Sequence, residues 1–62
     1  MKTPTVEEAH ITYAKALRSL AITTELYAHG RVNKIALAEA EAFTYRAQAD
    51  LQDALANASH KS

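Results

Sequence analysis

The only glycine of this 62-residue chain stands near its middle, in the stretch YAHGRVNK at positions 27 to 34. Glycine enters the left-handed backbone region without a side-chain penalty, so it commonly marks the residue just past a helix. On either side the residues are mostly alanine, leucine, glutamate, arginine and glutamine, all favourable in helices. One break in a helix-favouring chain leaves room for two helices. The only proline, Pro4, lies where a first helical turn tolerates it. Thr5 with Glu8 fits a capping box, and Thr3 before Pro4 offers a second start. Asn33 is placed to cap the second helix.

These signals predict helix 1 over about 5–29, a turn at 30–33, helix 2 over about 34–57 and a frayed tail at 58–62. Each helix would be roughly 36 Å long at about 1.5 Å per residue. Two matched helices and a short connection predict an all-α antiparallel hairpin as a single domain spanning 1–62.

Apolar periodicity assigns faces to these helices. In helix 1, Val6, Tyr13, Leu17, Leu20, Thr24 and Tyr27 follow three-four spacing, with Ala9, Ala16 and Ala21 alongside and His10 at one of the same positions. Helix 2 answers with Leu37, Ala40, Phe43, Ala47, Leu51, Ala54 and Leu55. Large side chains opposite alanines predict close, coiled-coil-like packing. A second strip, Ile11, Ile22 and Leu26, lies away from that seam, as does Tyr45 with neighbouring alanines on helix 2. These four residues are the predicted self-association or partner contacts, with Lys15 and Arg18 as a charged rim. The simplest closed arrangement is a homodimer of hairpins forming a four-helix bundle.

Charge and composition exclude more than they identify. Seven basic and seven acidic side chains cancel, so no overall field attracts nucleic acid or an anionic membrane. With no cysteine there is neither a disulfide nor a thiolate metal site. That usage suits the cytoplasm. The first ten residues, MKTPTVEEAH, lack the apolar run of a secretory signal, and no apolar stretch approaches the length of a membrane span.

Chemistry-bearing clusters are few. Glu7 and His10 have the carboxylate-x-x-imidazole spacing used in di-metal bundles, but the second carboxylate such a site needs would have to come from Asp50 or Asp53, which point away from the helix 2 seam. His10 is therefore expected as a half-buried seam residue and no metal or other cofactor is expected. His29, Arg31 and Lys34 gather at the turn, where free amides begin helix 2, as a contact for an anion or an acidic partner. Ser19, Ser59 and Ser62 have no base with an orienting acid, and His60 stands in the tail, so no enzyme activity is expected.

In size and outline the chain resembles the Rop type of plasmid RNA-binding regulator, small hairpin chaperones of type III secretion and phage-encoded inhibitors. Its run LAEAEAFTYRAQADLQDALA resembles the alanine-rich hairpins of outer-membrane efflux channels. These likenesses are architectural and share no motif with it. The expectation is a cytoplasmic, non-enzymatic interaction module acting as a regulator, inhibitor or adaptor. A Rop-like nucleic-acid-binding regulator, with Lys15, Arg18 and Arg46 brought together, and an accessory subunit of a larger assembly are the alternatives.

Overall fold

The computed structural model describes residues 4–60. Two helices, α1 (Val6–Ala28) and α2 (Lys34–His60), pack against each other as an antiparallel hairpin. The molecule is a rod of 48 × 16 × 15 Å.

Local chemistry sets each boundary. At the start of α1 the Glu8 amide donates to Thr5 Oγ1 at 3.1 Å, and the Thr5 amide donates to Glu8 Oε1 at 3.0 Å. Two amides that the helix cannot satisfy itself are thereby paired, as the capping box requires. Glu7 and Glu8 also place negative charge at the positive end of the helix dipole. The alternative start at Thr3 lies outside the described residues.

The turn is equally specific. Gly30 has φ +72°, the Arg31 amide donates to Leu26 O at 2.8 Å, and the Gly30 amide donates to Tyr27 O at 3.0 Å. This pair of bonds is the Schellman closure of a helix end. Asn33 then accepts the Ala36 amide on its Oδ1 at 3.0 Å and opens α2. α2 continues beyond the expected end at Asn57, through Ala58 and Ser59 to His60, and positions 61–62 of the expected tail lie outside the described residues.

The seam between the helices is built from small side chains. Ala9 and Ala16 of α1 are buried, as are Thr44, Ala47, Leu51 and Ala54 of α2. Among the described residues no large side chain is fully buried. Val6 and Tyr13 pack partly buried against the cluster of Ala9, Leu51 and Ala54. Ala9, Ala16 and Thr23 recur every seven residues, as do Ala40, Ala47 and Ala54. Larger residues fill the alternate positions: Val6, Tyr13 and Leu20 on α1, Leu37 and Leu51 on α2. This is a three-four repeat with one small member per heptad.

Close approach has a direct signature. The Thr44 hydroxyl lies 2.8 Å from Ala40 O in its own helix and 3.3 Å from Ala16 O across the seam. A side chain as short as threonine reaches the opposite backbone only where the alanines keep the helices near. The same contact fixes register, setting position 44 against position 16.

Several expected seam members take other places. Leu17, Tyr27, Phe43 and Leu55 are exposed, while the small neighbours Ala16, Thr44 and Ala54 are buried. Thr23 is half-buried in place of Thr24, and Ala21 and His10 are exposed. At 16/17, 43/44 and 54/55 the alanine or threonine is buried and the bulkier adjacent residue is exposed. Distance is the physical reason at Ala16 and Thr44, where the helices are close enough for a hydroxyl to reach the opposite carbonyl; Tyr13 and Leu51 pack at the alternate positions.

Candidate functional site

Because the seam is small, the large apolar side chains lie outside it, and two sides of the hairpin differ sharply. In an antiparallel pair, the residue four after a large seam position on one helix flanks the corresponding residue on the other. On α1 these are His10, Leu17 and Thr24; on α2 they are Glu41, Gln48 and Leu55. An open groove of about 470 Å³ on this side is lined by Leu20 of α1 with Glu41, Ala42, Thr44, Tyr45 and Gln48 of α2. Tyr45 is 77 % exposed on its rim, and Leu17, on the same flank by helical position, is 44 % exposed. Ala14, Ala21 and Gln52 share this flank by helical position. Its middle carries one charge, Glu41.

The opposite flank is charged. Helical spacing places Glu8 and Lys15 of α1 there with Glu39, Arg46, Asp50 and Asp53 of α2. Phe43, exposed, and Leu26, half-buried, are its main apolar members. Along the back of α1, Ile11, Lys15, Arg18 and Ile22 follow one another at three-four spacing. Ile22 is 54 % exposed there. Ile35, at the start of α2, is also exposed.

The residues singled out from sequence as contacts are therefore not one surface. Ile11, Ile22, Lys15 and Arg18 lie together on the back of α1. Tyr45 stands on the other side, in the groove. Leu26 is partly covered within the hairpin, because its carbonyl and side chain sit at the closed end where the chain reverses. The sequence missed Leu17, Phe43 and Leu55 as outward-facing residues; their immediate neighbours in the seven-residue rows of small side chains carry the signal.

At the turn, His29, Arg31 and Lys34 are all exposed, and the Ala36 amide is already paired by Asn33. The basic side chains are close in sequence, but the turn's hydrogen bonds are internal. Glu7 and His10 are exposed as well, and no group of three His, Cys, Asp or Glu side chains placed to hold a metal ion is present among the described residues. Among those residues no helix is long and apolar enough to cross a membrane.

Comparison of the chain with protein-family models, with curated proteins and with solved structures finds no match.

Proposed function

We propose that the hairpin is a non-enzymatic protein–protein interaction module, which self-associates and presents a helix face to another protein as a regulator, inhibitor or adaptor. The observation that carries this is the inversion of bulk: alanines fill the seam, while Leu17, Ile22, Phe43, Tyr45 and Leu55 face outward. Removing such side chains from water stabilises by about 25 cal/mol per Å² of apolar surface, and inside the hairpin that stabilisation goes unused. Association recovers it. Lys15 and Arg18, between Ile11 and Ile22, add the charged selectivity that apolar contacts alone lack.

Light scattering coupled to size exclusion, over a dilution series of the untagged chain, tests the self-association. The expected result is a dimer mass at high micromolar concentration, falling toward monomer on dilution. A monomer mass throughout contradicts it.

A further inference from the structure

We propose that the flank carrying Leu17 and Tyr45 is covered by a second copy of the same chain, across a twofold axis at Leu17, with the two turns at opposite ends. This rests on the interaction-module reading and specifies its first partner.

Area is the first argument. A compact monomer of this mass, 6.8 kDa, exposes about 4,000 Å². The hairpin exposes 5142 Å², an excess of about 1,100 Å². A standard interface removes about 800 Å² from each partner. The excess is enough to supply one, and the long face of the rod, 48 by 16 Å, has the matching footprint.

Charge is the second. The opposite flank and the back of α1 carry both signs of charge along their length, and covering either takes several charged side chains out of water. The Leu17 flank has only Glu41 near its centre. Leu17 is the midpoint of α1, so an axis there gives full overlap. The Thr44–Ala16 contact sets position 43 level with position 17. Rotation about that point lays Glu41 level with the partner's Tyr45, so that a phenol hydroxyl meets a carboxylate. It also lays Lys34 against the partner's Gln52.

Symmetry of side-chain size is the third. Ala14 and Ala21 lie three before and four after Leu17, and His10 and Thr24 lie seven before and seven after it. When α1 packs antiparallel on its copy, His10 is level with the partner's Thr24, and Ala14 lies within one residue of level with the partner's Ala21. Alanines on both sides of the axis allow the helices to approach closely. The Ile11–Ile22 back of α1 remains outside this contact, free for a different protein.

The chain has no cysteine, so single cysteines report proximity cleanly. Leu17→Cys is compared with Ile11→Cys under mild copper-catalysed oxidation, in which two thiols lose their hydrogens to oxygen and form one disulfide. Residues on the axis face their own copies, so Leu17→Cys is expected to cross-link at least tenfold faster than Ile11→Cys. Tyr45→Asp provides a second measurement. At 77 % exposure Tyr45 contributes little to the hairpin itself, so at chain concentrations that saturate the dimer the variant keeps its helical circular dichroism. It sets a carboxylate against the partner's Glu41 and is expected to raise the dimer dissociation constant at least tenfold. A dimer by mass in which Ile11→Cys cross-links as fast as Leu17→Cys, or which Tyr45→Asp leaves unchanged, overturns this face and leaves self-association standing. A chain that is monomeric throughout overturns both.

Discussion

Ala16 and Thr44 decide how close the two helices come. Ala16 is 1 % exposed, and its carbonyl lies 3.3 Å from the Thr44 hydroxyl of the other helix. That carbonyl also belongs to the hydrogen-bond ladder of α1, so the hydroxyl is an addition to a bonded backbone rather than its rescue. A longer side chain at 16 has no space without parting the helices. Ala16→Leu is expected to lower stability by about 1–3 kcal/mol, the usual cost of overpacking, despite its added apolar surface and good helix propensity. Urea midpoints at one fixed protein concentration measure it. A midpoint at or above the wild type would show that the seam can widen freely, and close approach would lose its role in turning the bulk outward.

The helices themselves owe their limits to local chemistry, and the turn is the sharpest case. Nothing lies within 4 Å of a methyl group placed on Gly30, so the requirement for glycine is the backbone angle alone, φ +72°. Gly30→Ala is expected to cost about 1–2 kcal/mol, and Gly30→Asn less, since asparagine tolerates the left-handed region better. Equal midpoints for the two variants in chemical unfolding would argue against this. Such local features were legible in the sequence: Thr5, Glu8, Gly30 and Asn33 each act within four residues of themselves. The phase of the seam was not. Tyr13 and Leu20 are compatible with either Ala16 or Leu17 between them, since both keep three-four spacing. Hydrophobicity alone chooses Leu17, and likewise Phe43 over Thr44; at the far end it takes both Ala54 and Leu55, of which only Ala54 is buried. The structure chooses the smaller neighbour, because interhelical distance belongs to the pair of helices; its one trace in the sequence is the seven-residue row of small side chains, to which a hydrophobicity pattern gives little weight. The candidate faces shifted with that phase, which separated Tyr45 from Ile11 and Ile22.

As a whole, the molecule is slender for its length. Its radius of gyration is 14.1 Å, against about 11 Å for a compact chain of this size. A two-helix rod with an alanine seam covers little of its own apolar surface, and chains this short sit near the lower limit for folding alone. In the proposed dimer the hairpin completes its burial by association. If so, folding and association are linked, and apparent stability rises with protein concentration by mass action. The measurement is urea unfolding followed by helical circular dichroism over a hundredfold range of chain concentration. The expected result is a midpoint that climbs steadily with concentration, with one coupled transition. A sharp, cooperative transition whose midpoint does not move with concentration would contradict the account, because the hairpin would then be sufficient by itself.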